Sequence, residues 1–183
     1  RFFHAEYAEL FRPLRVPVGG VLELGDVAVW RRARVGGMVF GADGAPILAH
    51  VSWTPAGEEL RADRASSTRG GRFELPQAAR TRLRLLVRAP EHVPCVFEVD
   101  ASGGDVDGLE LHLERGVPVA FRGARGRVLT WLDAAGGSIP LGSDERLPPG
   151  RHSVRVGAEG EPGLVIDVEV GSEPLRVDLP EER

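Results

Sequence analysis

The stretch Arg82-Leu83-Arg84-Leu85-Leu86-Val87-Arg88 decides the fold class of this chain. Leu83, Leu85 and Val87 fall on one face of an extended backbone, and the arginines fall on the other face. This period of two is typical of a β-strand that buries one face and exposes the other to water. The run therefore predicts a half-buried strand.

Further runs along the chain show the same alternation and are bounded by glycine, proline or an Asp-Gly pair. They cover residues 35–40, 48–53, 72–75, 93–99, 109–113, 118–122, 126–132, 152–156, 164–170 and 175–179. The 24 glycines and 14 prolines of the 183 residues disfavour long helices. We therefore expect an all-β fold of antiparallel sandwich type.

Several of these runs repeat in order. The segments 73–76, 82–87, 96–99 and 109–113 have a shorter echo at 146–149, 152–156, 165–170 and 175–179. Self-similarity of this kind indicates consecutive copies of one structural unit. We expect one β-sandwich at residues 35–116 and a second, shorter one at 117–183.

Residues 1–34 match the end of the first copy in part, which predicts the closing strands of a preceding module or an N-terminal extension. A second interpretation makes residues 2–12 a short amphipathic helix. Its apolar side would carry Phe3, Tyr7, Leu10 and Phe11. The sequence leaves both interpretations open.

A motif between residues 37 and 75 resembles a known family. It reads Gly-Met-Val at 37–39, Asp-Gly-Ala-Pro at 43–46, Ala-His-Val at 49–51 and Thr-Arg-Gly-Gly-Arg-Phe-Glu-Leu at 68–75. This pattern resembles the carboxypeptidase regulatory-like domain, a seven-stranded sandwich of the transthyretin-like, Ig-like type. The resemblance implies a module of a mostly non-catalytic kind, appended to enzymes, receptors or envelope proteins, frequently in bacteria and frequently exported.

Composition excludes several function classes. The net charge of −4 gives no electrostatic reason to expect nucleic-acid binding. The chain has no lysine and no asparagine, which removes lysine-based covalent chemistry and Asn-linked glycosylation. No apolar run approaches the length of a membrane-spanning helix, so we expect no membrane span.

Two groups of side chains are weak candidates for metal binding. Glu110, His112 and Glu114 alternate onto one face of a predicted strand, and residues 100–110 form a Gly-rich loop with several carboxylates. Neither has the spacing of a known metal motif, and the loop does not match an EF-hand. We expect a solvated strand face and a polar turn, with no metal and no cofactor.

No arrangement of residues predicts catalysis. Cys95 lies on the inward face of a predicted strand, where a thiol behaves as a small apolar side chain. Residues 66–68 have no adjacent His or Asp motif, and the chain contains no Gly-x-Ser-x-Gly. Residues 179–183 read Leu-Pro-Glu-Glu-Arg and do not match the Tyr-Arg-Gly-Ser tail of the transthyretin-like hydrolases. We expect no enzyme and assign no catalytic residue.

The tryptophans leave a binding role open. Trp53 shares a face with Ala49 and Val51 and is expected in the core, whereas Trp30 is expected to be exposed. With Trp131, an exposed Trp30 could stack on a sugar ring.

Charges on successive strands are complementary. Outward arginines at 82, 84 and 88 precede acids at 98 and 100, and arginines at 151 and 155 precede acids at 167 and 169. If these strands pair antiparallel, opposite charges meet across the ladder and help to fix the register. We therefore predict cross-strand contacts between arginine and carboxylate in both copies.

These observations predict a rigid structural or interaction unit of a larger protein, located in the cell envelope or secreted. Its partners would be neighbouring domains, or a second copy through exposed edge strands, and the polar loop at 58–69 would offer contact points. The alternatives are a carbohydrate- or peptide-binding module and an accessory domain of a peptidase.

Overall fold

The computed structural model describes residues 31–58, 60, 65–132, 138–158 and 163–180. These residues form fourteen strands and no helix, which confirms the predicted all-β class. Within them, no helix is long and apolar enough to cross a membrane. The N-terminal segment, with its alternative strand and helix interpretations, lies outside the described residues, as does Trp30.

Seven strands form the first strand set. They are β1 (Arg32–Phe40), β2 (His50–Pro55), β3 (Ala65–Ser67), β4 (Arg72–Ala79), β5 (Arg82–Arg88), β6 (Cys95–Asp100) and β7 (Val106–His112). One sheet has the order β4-β1-β7 and the other the order β3-β2-β5-β6.

Seven more strands form the second strand set. They are β8 (Val117–Arg122), β9 (Val128–Leu132), β10 (Ser138–Leu141), β11 (Asp144–Leu147), β12 (Gly150–Gly157), β13 (Leu164–Val170) and β14 (Leu175–Asp178). Their sheets have the orders β11-β8-β14 and β10-β9-β12-β13.

The two strand sets have the same topology. Strands β8 to β14 take, in order, the places that β1 to β7 take in the first set. All strand pairs are antiparallel except β1 with β7 and β8 with β14, which are parallel. Within the described part of each strand set, this parallel pair is the one departure from a purely antiparallel sandwich. Parallel neighbours need a long connection between them. Here the five intervening strands of each set provide it.

Each strand set encloses its own core. In the first set, Val35, Phe73 and Leu75 of one sheet pack with Val51 and Leu85 of the other. A separate cluster between the sheets of the second set joins residues such as Val119, Phe121, Val154 and Val168. Apolar residues at alternate positions supply both cores, as two stacked sheets require.

The residues of the motif at 37–75 have structural roles in the first strand set. Ala49 and Val51 are fully buried in the first core, and Phe73 is buried beside them. The Asp-Gly turn is closed by the Asp43 carboxylate, which accepts a hydrogen bond from the Ala45 N–H at 3.0 Å. Gly44 has a φ of 76°, which a glycine adopts without strain.

Gly71 shows why this motif needs a glycine. Its φ is 81°, and a Cβ built on it would lie 2.6 Å from the Cβ of Pro46 and 3.0 Å from the Val39 oxygen. The Val39 N–H donates to the Gly71 oxygen at 2.8 Å. The chain therefore passes too close to its neighbours for any side chain at this position.

The long polar loop predicted at 58–69 is partly wrong. Residues 65–67 form β3, the edge strand beside β2, and Thr68 is buried. The Thr68 hydroxyl donates to the Ile47 oxygen and accepts from the Ala49 N–H, both at 2.9 Å. The Thr68 side chain, which both donates and accepts, thus joins two backbone segments and fixes this part of the predicted loop, while its neighbours Ser67 and Arg69 stay exposed.

Candidate functional site

The strongest candidate site is the junction between the two strand sets. The outer face of the β3-β2-β5-β6 sheet carries Leu86, whose side chain is only 1% exposed. Leu86 forms an apolar cluster with Leu60 and Val96 of the first set and with Ile139 and Trp131 of the second. The second strand set therefore covers part of a sheet face that would otherwise contact water.

Arg88 gives the junction a polar anchor. Its guanidinium donates to the Glu145 carboxylate on β11 and to the Pro140 carbonyl on β10. The Glu145 side chain is 13% exposed, so this ion pair is largely removed from water. Two strands of the second set are held by one side chain of the first.

The linker between the strand sets is short and is tied down by backbone hydrogen bonds. Residues 113–116 join β7 to β8. The Val93 N–H donates to the Glu114 oxygen at 2.9 Å, and the Gly116 N–H donates to the Glu91 oxygen at 3.2 Å. The Arg146 guanidinium of β11 donates to the Gly116 oxygen at 3.2 Å. These bonds fix the path of the chain from one set to the next.

Close packing at Gly116 adds to this constraint. A Cβ built there would lie 2.8 Å from the Arg146 Cβ and 2.9 Å from the Val93 Cγ2. The linker therefore lies against side chains of both strand sets with no room for a larger residue.

A groove of about 390 Å³ opens beside the linker. The turn at 89–91 of the first set forms one wall, and strands β8, β11 and β14 form the rest. The charged residues that line it are Glu91, Asp144, Glu145, Arg146 and Arg176. Both signs of charge are present, so the groove does not select for an anion or a cation by net charge.

The contacts at the junction are not repeated on the second strand set. Trp53 pairs with Leu85, and Trp131 pairs with Val154, which places the two tryptophans at equivalent positions of the repeat. In this alignment Arg155 takes the place of Leu86. The outer face of the second set is thus polar where that of the first is apolar.

The same alignment extends to two further positions. Gly157 takes the place of Arg88, and Val165 takes the place of Val96. The arginine that anchors the junction therefore has no counterpart in the second set, whereas the apolar residue on the neighbouring strand does.

Cross-strand charge contacts are present in both strand sets, as predicted. Arg82 is paired with Asp100 in the β5–β6 ladder, with 3.9 Å between the Arg82 Nε and an Asp100 oxygen. Arg151 donates to an Asp167 oxygen at 2.6 Å, and the Ser153 hydroxyl donates to the other at 2.9 Å. These contacts lie on the surface, where an ion pair adds little to the free energy of unfolding. Their main effect is on the register of the paired strands.

Hydrogen bonds lower the pKa of two of these carboxyls. The Arg151 guanidinium, followed by the Ser153 hydroxyl, lowers the pKa of Asp167, and Asp167 in turn raises the pKa of Arg151. Hydrogen bonds from Ser102 are the main cause of the lowered pKa of Asp100, and the charge of Arg82 contributes less.

Arg88 departs from the predicted row of outward charges. It pairs with no acid on β6, because its side chain enters the junction and meets Glu145. Arg84 also bonds outside the ladder, since its guanidinium donates to the Glu58 oxygen at 2.6 Å. Alternation places these arginines on the outer face, but only tertiary contacts decide which partner they meet.

The candidate metal ligands on β7 lie on an exposed face. The His112 Nε2 is 3.9 Å from a Glu110 oxygen, and its ring stacks on Phe40 with centroids 5.0 Å apart. Glu114 lies beyond the end of β7 and is also exposed. Among the described residues, no three His, Cys, Asp or Glu side chains come together as a metal site.

In the acidic loop, three carboxylates accept hydrogen bonds from backbone N–H groups. The Asp100 carboxylate accepts from the Ser102 N–H, and that of Asp105 accepts from the Arg34 N–H, both at 2.9 Å. The Asp107 carboxylate accepts from the Gly108 N–H at 2.9 Å. These carboxylates shape the turn between β6 and β7 and do not converge on a common point.

The remaining single residues are part of the packing. Trp53 is buried in the first core as predicted, and Trp131 is half-buried at the junction, where its ring meets His152 edge-on at 5.4 Å. Cys95 and Phe97 pack against the first core, as their inward positions on β6 predict. Neither of the two tryptophans in the described part of the chain therefore forms an exposed platform.

Several solved structures resemble this chain, including the following two. No protein-family model matches the chain, and no curated protein matches it. The Bacillus anthracis TIE protein aligns with 82% of this chain at 15% identity and a TM-score of 0.39. A streptococcal ancillary pilin aligns with 83% at 8% identity and a TM-score of 0.34.

The chain spans 34% of the length of the TIE protein and 64% of that of the pilin. At these TM-scores, neither likeness assigns an activity or a partner.

Proposed function

We propose that this chain is a non-catalytic structural and interaction unit of a larger bacterial protein, located in the cell envelope or secreted. In this proposal residues 35–116 and 117–183 are two modules of one kind, and the first belongs to the carboxypeptidase regulatory-like class. Residues 1–34 are the end of a preceding module or an extension. The unit holds binding loops or neighbouring domains at a fixed spacing.

The buried junction is the observation that carries this proposal. A flexible linker would leave Leu86 exposed, whereas Leu86 is packed under Ile139 and Trp131. The bonds from Arg88 to Glu145 and Pro140 then set the orientation of the second strand set. Neighbouring domains move relative to each other by default unless their interface is well packed, so this packing supports a rigid unit.

Two properties of the fold support the class of module. Each strand set has seven strands in two sheets, which is the architecture that the family resemblance implies. The residues of the motif also have structural uses: Phe73 fills the first core, and the turn at residues 43–46 is closed by its own aspartate.

Calorimetric unfolding of the whole chain tests the proposal. We expect the native chain to unfold in one transition, because the junction couples the two cores. The double variant Leu86→Asp and Arg88→Ala places a charge in the apolar cluster and removes the anchor, so it is expected to split unfolding into two transitions. Arg82→Ala, on the same face of β5, is the matched control and should leave a single transition.

Two transitions in the native chain, or a single transition in the double variant, would contradict this proposal. The carbohydrate-binding alternative has less support, since Trp53 lies in the core and Trp131 at the junction. No contact among the described residues favours an accessory role for a peptidase.

A further inference from the structure

The edges of the four sheets differ in how well they are protected from pairing with another chain. The described residues include eight edge strands. Four of them, β3, β10, β11 and β14, have at most four residues. Such short strands offer few backbone groups to a partner, and short edges are a common protection against aggregation.

Three longer edges are protected in other ways. Strand β4 contains Pro76, which cannot donate a backbone hydrogen bond. Strand β7 contains Gly108 with a φ of 74° and has an irregular register against β1. Strand β6 follows Pro94, and its outward Val96 is covered at the junction.

Strand β13 has none of these protections. It runs for seven residues from Leu164 to Val170 without proline or glycine, and its register against β12 is regular. Its other side has no neighbouring strand in the described structure. β13 is therefore the described edge that is best able to accept another strand.

Exposed apolar side chains gather at the start of this strand. Leu164 is 55% exposed, Val165 is 48% exposed, and Val128 on β9 is 41% exposed. Val128 pairs with Gly157 at the end of β12, next to the residues that pair with Leu164 and Val165. Three of the four large apolar residues that are exposed in the described structure thus lie at the same end of this sheet, and two of them, Leu164 and Val165, are on its edge strand.

We propose that β13 is the edge through which two copies of this chain pair, antiparallel and related by a two-fold axis. The pairing would join two four-stranded sheets into one sheet and would place a partner strand beside Leu164 and Val165 of each copy. This role is separate from the junction, whose contacts in the second strand set come from β9, β10 and β11.

The acids of β13 select the register of this pair. Directly opposed residues in an antiparallel ladder face the same side, and like charges in opposition are destabilising. A two-fold axis at Asp167 places this acid opposite Asp167 of the partner subunit. An axis at Val168 places it opposite Glu169 of the partner subunit. An axis at Ile166 avoids both conflicts and pairs residues 164–168, whereas an axis at Val165 pairs only residues 164–166.

The register centred on Ile166 is also electrostatically favourable. It places Val165 opposite Asp167 of the partner subunit, and Leu164 opposite Val168 of the partner subunit. Val165 is itself paired with the exposed Arg155 on β12. Arg155 and the partner's Asp167 then lie on the same face, two strand spacings or about 10 Å apart at the backbone, within reach of an extended arginine.

The test is sedimentation velocity of the full chain across micromolar to millimolar concentrations. A strand pair this short buries little area, so we expect a weak dimer whose fraction rises with concentration. Val165→Asp places acid opposite the partner's Asp167 and should abolish the dimer. Val165→Lys places a cation there and should keep or strengthen it.

A chain that stays monomeric at every concentration overturns the proposal. Any other response of the dimer to the two variants also overturns it, including loss in both or in neither. Thermal unfolding of each variant confirms that it is folded, which is expected because Val165 is half-exposed.

A covalent test does not depend on affinity or on these variants. In a Cys95→Ser background, Ile166→Cys lies on the two-fold axis and should form a disulfide-linked dimer under mild oxidation. Leu164→Cys faces the partner's Val168 in the same register and should not. Equal cross-linking of both variants, or of neither, contradicts the register.

Discussion

Arg88 and Glu145, which lie 57 residues apart in the sequence, form an ion pair that joins the two strand sets. The same guanidinium bonds the Pro140 carbonyl, so an arginine on an outer sheet face holds a neighbouring sandwich and does not merely contact water. The orientation of the two sets thus depends on a few side chains next to a short, hydrogen-bonded linker.

Removal of this anchor should cost measurable stability. Arg88→Ala leaves the largely buried Glu145 carboxylate without its cation, and we expect the free energy of unfolding to fall by about 1–3 kcal/mol. Urea denaturation measures the change. Arg82→Ala, which removes an exposed pair with Asp100, should change the free energy by no more than about 0.5 kcal/mol. Equal changes in the two variants would show that the Arg88–Glu145 ion pair contributes no more to the free energy of unfolding than an exposed pair does.

Truncation of Leu86 should be more damaging than truncation of its counterpart in the repeat. Leu86→Ala opens a cavity under Ile139 and Trp131, and such changes cost about 2–5 kcal/mol when the site cannot collapse. Arg155→Ala removes an exposed side chain and should have an effect within about 0.5 kcal/mol. Chemical denaturation of both variants makes the comparison, and a Leu86→Ala variant as stable as the native chain would argue against a packed junction.

Gly37 should not tolerate a side chain. A Cβ built on it would lie 2.2 Å from the Leu109 carbonyl oxygen, a backbone atom of β7 that cannot rotate away. Gly37→Ala must therefore push β1 and β7 apart, and we expect the free energy of unfolding to fall by about 1–3 kcal/mol. Gly103→Ala is the control, since a Cβ built on Gly103 would have no other atom within 4 Å. Comparable melting temperatures for the two variants would refute the close approach of these strands.

The lowered pKa of Asp167 should depend on Arg151. In Arg151→Gln the pKa of Asp167 should rise toward its ordinary value of 3.8, because the main bond that favours the ionised form is lost. The pKa of Asp100, which Ser102 lowers, should stay unchanged. Carboxyl NMR titration measures both. If Asp167 titrates identically in the variant, its pairing with Arg151 does not persist in solution.

The same contact predicts the direction of the pH effect on stability. Because the folded-state pKa of Asp167 lies below its unfolded value, its contribution is present above pH 3.8 and is lost as the pH falls through the folded-state pKa. Stability curves of the native chain and Arg151→Gln should therefore converge in acid below this range. Curves that stay parallel down to the lowest pH would contradict the linkage.

Much of the fold follows from the alternation of apolar residues. The bounds predicted at 82–88 and 164–170 agree with β5 and β13, whose ends are marked by turn residues. Strand β3 was not predicted because its three residues are too few to show a period. Strand β10 contains Pro140, which by itself indicates a turn.

The junction was harder to predict, although the sequence contains a signal for it. Leu86 interrupts the row of outward arginines on β5, and Val96 is apolar at an outward position of β6. Apolar residues on an outer face indicate that another element covers it. The identity of the covering residues depends on how the second strand set is oriented, which no local pattern encodes.

The distance between the strand sets in solution tests the central claim most directly. In a Cys95→Ser background, Ser102→Cys and Ser172→Cys place one exposed spin label in each strand set. Double electron–electron resonance then measures the distance between the two labels. A rigid junction predicts a single narrow distance distribution, which broadens in the double variant Leu86→Asp and Arg88→Ala. A distribution that is already broad in the native chain would contradict the claim that the two strand sets are held at a fixed spacing.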